Sequence, residues 1–295
     1  MSLQDKLSKE WSYQDWAPIL LLSLLFVAGV FFYCDDFEPS ETFTAYNEKR
    51  ILDFKTQLLD QQLSIVILGN SVSKHGFYAE EKLGSVLSEK LGKEVKVLTL
   101  YRNSGVYYDY KGLSQTLVQL KPSLIVIQKD LLGTCYGNYR RTHYALKYWY
   151  WKFFGVGAWA MDERDLVEDQ FVREPPKVFD SNKVSAKVGI FFHRFLSIGK
   201  YEFSIDNRSR RELDDFYSVA TQAKIPFLFV DIPRSKQVSL YVFKDLPREQ
   251  KYEILYQEPQ EDEFFNDAYH LNAEGRKVSS LWLSEQVVKC LGGRL

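Results

Sequence analysis

A chain of 295 residues with 45% hydrophobic content is long enough for one large domain with appendages and too apolar for wholesale disorder. Its 38 basic and 39 acidic residues leave a formal net charge of -1, which excludes the broad positive footprint of a nucleic-acid-binding surface. Cys34, Cys135 and Cys290 are scattered, odd in number and without metal-ligand spacing, so neither a disulfide framework nor a zinc site is indicated, and no metal or organic cofactor is expected.

Residues 1–15 read as a cytoplasmic tail. The uncharged run from Trp16 to Cys34, WAPILLLSLLFVAGVFFYC, then comes close to the roughly 20 helical residues that cover a bilayer. Lys6 and Lys9 precede it and Asp35, Asp36, Glu38 and Glu41 follow it, a bias that places the amino terminus in the cytoplasm and the main domain outside. A cleaved signal peptide is the competing reading, with Ala28 and Gly29 as small residues; bulky Phe31, Phe32 and Tyr33 disfavour cleavage. Residues 35–61 read as a stalk or first helix, with Ile51, Phe54 and Leu58 at helical spacing.

From residue 62 to 295 strands and helices alternate. The apolar runs at 64–69, 95–100, 123–128 and 226–232 read as buried strands. Between them, Leu83, Val86, Leu87 and Leu91 recur at helical spacing, as do Leu113, Leu117 and Leu120 before Pro122, and Leu213, Phe216 and Ala220. Asn272 is placed to cap a last helix carrying Val278, Leu281 and Trp282. Such alternation predicts a three-layer α/β/α domain on a parallel, flavodoxin-like sheet, whose ligands bind beyond the carboxyl ends of the strands. An insertion interrupts the scheme from about 130 to 206. Its aromatic cluster from His143 to Met161 suits a membrane interface or a sugar-binding lid, with a second cluster, Val188 to Tyr201, to pack against it, and equally ordinary packing of the insertion.

Ser71 follows the first predicted strand directly, in VILGNSVSKHG, at the end of the sheet where a site belongs. Gly-Asn-Ser is also good turn chemistry. Near the other terminus, NDAYHLNAEGRK sets Asp267 and His270 three apart, close enough for one turn to bring the carboxylate against the imidazole. Such a pair fixes the histidine tautomer and supports the imidazolium formed when the ring takes a serine proton. His75, four residues after Ser71, is a competing base without a carboxylate at comparable spacing.

Gly69-Asn70-Ser71 resembles the Gly-Asp-Ser block of the SGNH, or GDSL-like, hydrolases, and Asp267-Ala268-Tyr269-His270 resembles their last block, in the same order along the chain. The resemblance implies Ser71 as nucleophile, His270 as general base and then acid, and Asp267 as orienting carboxylate. It also implies an oxyanion hole built from the Ser71 amide and the Gly105 amide. The third block departs: Lys129-Asp130-Leu131-Leu132-Gly133 stands where that family has Gly-x-Asn-Asp, and only Asn103 and Asn138 offer substitutes.

With its single anchor and its VDIPRS segment, Val230 to Ser235, the chain is similar to membrane-anchored SGNH-like proteins that take part in alginate O-acetylation or teichoic-acid D-alanylation. The resemblance implies an esterase or O-acyltransferase working on acylated, chiefly acetylated, glycans outside the cytoplasm, alone or with a membrane acyltransferase partner. Two alternatives stay open. One is a catalytically inactive SGNH-like module that binds a glycan or an acyltransferase. The other is a lipid esterase that uses the aromatic insertion to reach acyl chains.

Overall fold

The computed structural model describes residues 16–25, 41–103, 105–134, 204–205, 207–233, 253–258, 261–266 and 270–293. The chain divides into two units, one drawn from 1–38 and 137–159, the other from 39–136 and 160–295. In the first, residues 16–25 form a helix whose side chains are all exposed, among them Trp16, Leu20, Leu22 and Leu25. Among the described residues no helix is long and apolar enough to cross a membrane, and the rest of the predicted span, 26–34, lies outside them.

The second unit is an α/β structure on a parallel five-stranded sheet. Its strands are β1 (Leu63–Gly69), β2 (Val95–Tyr101), β3 (Leu124–Gln128), β6 (Phe227–Asp231) and β7 (Ile254–Tyr256), in the spatial order β2-β1-β3-β6-β7. Two-residue strands β4 (Gly133–Thr134) and β5 (Ser204–Ile205) pair antiparallel apart from this sheet and bring the two ends of the predicted insertion together. With that ribbon set aside, the order is the flavodoxin-like 2-1-3-4-5, in which the chain reverses its direction of growth between β1 and β3. β7, only three residues long, has no counterpart among the sequence expectations.

Burial on both faces explains the apolar runs. Val66 and Leu68 of β1 turn to one core and Ile65 and Ile67 to the other, as the two-residue repeat of a strand requires. The first core is covered by α1 (Glu41–Thr56), α4 (Ser114–Leu120) and α5 (Asn207–Gln222) through Phe43, Ile51, Leu117, Leu213 and Phe216. The second is covered by α3 (Glu80–Leu91) and α6 (Ala273–Gly292) through Leu83, Leu87, Leu283 and Val287.

Two sequence expectations are revised here. Of the two readings of residues 35–61, stalk or first helix, residues 41–56 are the helix: Phe43 and Ile51 are withdrawn from solvent beneath the sheet, so the α/β layer begins before the expected boundary at residue 62. On α6 the buried stripe is Ser279, Ser280, Leu283, Ser284, Val287 and Leu291, while Val278 and Leu281 face outward. Serines mask that stripe in the sequence, yet they suit burial here because each finds a partner. Ser280 accepts from the Tyr78 amide at 2.8 Å, Ser279 donates to Gln257 at 2.8 Å, and Ser284 donates to the Ser280 carbonyl at 2.8 Å.

Candidate active site

Ser71 opens the short helix α2 (Ser71–Gly76) directly past the carboxyl end of β1. Its position follows from the turn before it. Gly69 has no room for a side chain, since an added Cβ would overlap the Ser73 side chain and come within 3.1 Å of Gln128 Oε1. The Gly69 carbonyl accepts from the Tyr110 hydroxyl at 2.6 Å and from the Arg102 amide at 3.1 Å, which ties the end of β1 to the end of β2. Asn70 then caps α2, its Oδ1 accepting from the Val72 amide at 3.0 Å, and Ser71 becomes the first helical residue.

His270 reaches the same place from the far end of the chain. The Asn272 amide donates to the Phe264 carbonyl at 2.9 Å, the Asn266 amide donates to the His270 carbonyl at 2.8 Å, and Phe265 bridges Leu271 antiparallel. Fully buried Phe265 and Leu271 root this loop in the second core. Asn272 starts α6 by accepting from the Glu274 and Gly275 amides, each at 3.1 Å, and its Nδ2 donates to the Glu263 carbonyl at 2.6 Å. The helix so started docks on the end of α2, where Arg276 Nε donates to the His75 carbonyl at 3.1 Å.

These constraints bring His270 Nε2 to 3.2 Å from Ser71 Oγ across 199 positions of sequence. Both side chains are partly buried. The pair sets a hydroxyl and an imidazole nitrogen within hydrogen-bond reach at the carboxyl edge of a parallel sheet, the geometry by which a neighbouring base can activate a weak serine nucleophile. Asp267 lies outside the described residues. His75, the competing base, packs its ring edge-on against that of His270, with centroids 4.8 Å apart.

Gly105 lies beyond the end of β2, and its amide donates to the Arg102 carbonyl at 2.8 Å, closing its own turn. Of the two candidate asparagines, Asn103 is exposed in that turn and Asn138 lies outside the described residues.

Residues 129–133, where the resemblance breaks, make contacts of their own. Fully buried Lys129 donates to Asp231 Oδ2 at 2.8 Å, holding the ends of β3 and β6 together, and lies 4.9 Å from the Tyr256 ring centre. Burial and the Asp231 carboxylate push the Tyr256 phenol above its ordinary pKa. Gln128 and Asp130 turn toward the Ser71 turn, with Gln128 Oε1 accepting from the Asn70 amide at 2.9 Å. The signal in the sequence is the break from an apolar strand into Gln-Lys-Asp, three polar residues in a place where all three are buried. Among the described residues no group of three or more His, Cys, Asp or Glu side chains is arranged to hold a metal ion.

No protein-family profile matches the chain, and no curated protein matches it. Two solved structures resemble it in outline. The lipase Lip_vut3 from a goat rumen metagenome is 9% identical, with a TM-score of 0.37 over 76% of this chain and 96% of that one. A "possible lipase" from Chitinophaga pinensis DSM 2588 is 12% identical, with a TM-score of 0.28 over 78% of this chain and 99% of that one. Likeness at these TM-scores decides neither fold nor chemistry, which rest on the strand order and on the geometry of Ser71 and His270.

Proposed function

We propose that this chain is a membrane-tethered serine ester hydrolase or O-acyltransferase of SGNH type. It acts outside the cytoplasm on acyl, chiefly acetyl, esters of cell-surface or exported glycans. The observation that carries the reading is the 3.2 Å approach of Ser71 Oγ and His270 Nε2 at the carboxyl end of β1. In the proposed reaction Ser71 Oγ bonds to the ester carbonyl carbon while its proton passes to His270. The ester C–O bond then breaks, the leaving alcohol takes that proton, and the acyl group rests on Ser71. Water or a sugar hydroxyl, deprotonated in turn by His270, then bonds to the acyl carbon, the bond to Ser71 Oγ breaks, and Oγ takes the proton back from His270. Asp267 is assigned the orienting role.

The Ser71 amide is assigned to the oxyanion, and Gly105 joins it only by releasing the Arg102 carbonyl. That commitment of the Gly105 amide is what favours the second reading, a non-catalytic SGNH-like module that holds a glycan or an acyltransferase partner. Tethering is supported by the exposed apolar side chains of the helix at 16–25 in the run Trp16 to Cys34.

The test is hydrolysis of an aryl acetate by the purified full chain in detergent, beside Ser71→Ala. Turnover that depends on Ser71 supports the enzyme. Equal rates for the two proteins, or glycan binding without turnover, would hand the case to the binding module.

A further inference from the structure

Beneath Ser71 runs a buried line of hydrogen bonds whose polarity is set from one end. Gln128, the last residue of β3, accepts at Oε1 from the Asn70 amide at 2.9 Å and from the Ser73 hydroxyl at 2.6 Å. Its Nε2 donates to Asp130 Oδ2 at 2.8 Å. All four residues are buried: Ser73 0% exposed, Gln128 1%, Asp130 7% and Asn70 9%.

A primary amide is nearly symmetric in shape, so only its neighbours decide which end points where. Asp130 Oδ2 lies 2.8 Å from Nε2, and a carboxylate oxygen accepts, so Asp130 takes the NH2 end. The carbonyl end is left for the two donors that flank Ser71 on either side. With the amide turned over, Nε2 would face the Asn70 N–H and Oε1 would face a carboxylate, two buried mismatches that leave donor against donor and acceptor against acceptor.

We propose that Gln128, oriented by Asp130, is a positioning residue for the nucleophile: it grips Asn70 and Ser73 and so fixes the turn that aims Ser71 at His270. The role rests on the serine-hydrolase reading above. It also gives a role to acidic Asp130 beside the glutamine at the end of β3, in the segment where the resemblance leads one to expect an asparagine.

The polarity can be reversed without changing net charge, and this supplies the experiment. Asp130→Asn removes the selection between the two amide orientations. Gln128→Glu sets one buried carboxylate against another. The double variant restores the pattern, because the new carboxylate accepts from the turn at one oxygen and from the new amide at the other. The readouts are the second-order rate at which a fluorophosphonate labels Ser71 in the full chain in detergent, kcat and KM for an aryl acetate, and the melting temperature.

Each single variant is expected to slow labelling about tenfold or more, with the loss in kcat and KM little changed. The double variant is expected to return to within about threefold of wild type, a large coupling between the two sites. If either single variant fails to fold, the rate of the double variant against wild type decides. Single variants that label at the wild-type rate overturn the proposal, and so does a double variant that recovers its melting temperature without its rate. Wild-type protein that is never labelled at Ser71 overturns the hydrolase reading itself; labelled wild type with indifferent variants overturns only the positioning role.

Discussion

Ser71 Oγ and His270 Nε2 meet at 3.2 Å although one residue opens the short helix after the first strand and the other precedes the last helix. If this contact activates the serine, Ser71→Ala abolishes aryl acetate hydrolysis and His270→Ala lowers kcat by about 10³-fold or more, while His75→Ala keeps most of it. Steady-state kinetics on the three variants separate the roles. Equal damage from His75→Ala and His270→Ala would undo the assignment of the base.

The turn before Ser71 tolerates no side chain at residue 69. Gly69→Ala drives a methyl against Ser73 and Gln128, both buried and both hydrogen-bonded, so neither can step aside. We expect unfolding free energy to fall by about 1 to 3 kcal/mol in urea titration. Fluorophosphonate labelling should fall as well, because the displaced groups are those that hold the turn. An unchanged urea midpoint contradicts this account.

Asn272 is the hinge between the loop of His270 and helix α6, and its side chain makes three hydrogen bonds there. Asn272→Ala should cost about 1 to 2 kcal/mol for the lost cap. Asn272→Asp keeps the acceptor toward Glu274 and Gly275 and loses only the donor to Glu263, so its melting temperature should fall between alanine and wild type. Alanine and aspartate variants that melt together would show that the cap is idle.

Tyr101 is fully buried, and desolvation, with the Glu80 carboxylate adding to it, drives its phenol above the ordinary value near 10. The unfolded chain ionises this group at the ordinary pKa while the folded chain holds it neutral. Stability is therefore unaffected below about pH 10 and falls as pH rises beyond it. Urea midpoints measured from pH 8 to 11 should decline at the upper end, and Tyr101→Phe should lessen that slope. Parallel slopes for the two proteins would exclude Tyr101 as the cause.

The four longer parallel strands and most of the helices were legible because their side chains report burial directly. Ile65 through Leu68 are apolar without a break because helices cover both faces, and Leu213, Phe216 and Ala220 recur at helical spacing because one face of α5 is covered. Legibility failed where burial falls on residues that look polar. Ser279, Ser280 and Ser284 line the hidden face of α6, and Lys129 is fully enclosed; Ser284 bonds within its own helix, while Ser279, Ser280 and Lys129 each have a partner supplied by another element. No single stretch of sequence holds both halves of such a bond.

The same division runs through the site. Local chemistry alone determined that Gly69-Asn70-Ser71 is a turn after a buried strand and that Asn272 starts a helix, because turns and caps are made by near neighbours and a strand buried on both faces shows as an unbroken apolar run. The meeting of Ser71 with His270, the closing of the Gly105 amide on Arg102 and the grip of Gln128 on Asn70 and Ser73 were decided only by tertiary structure. Hydrogen bonds between separate elements depend on sheet order and helix docking, and those are set by how the whole chain buries its two cores.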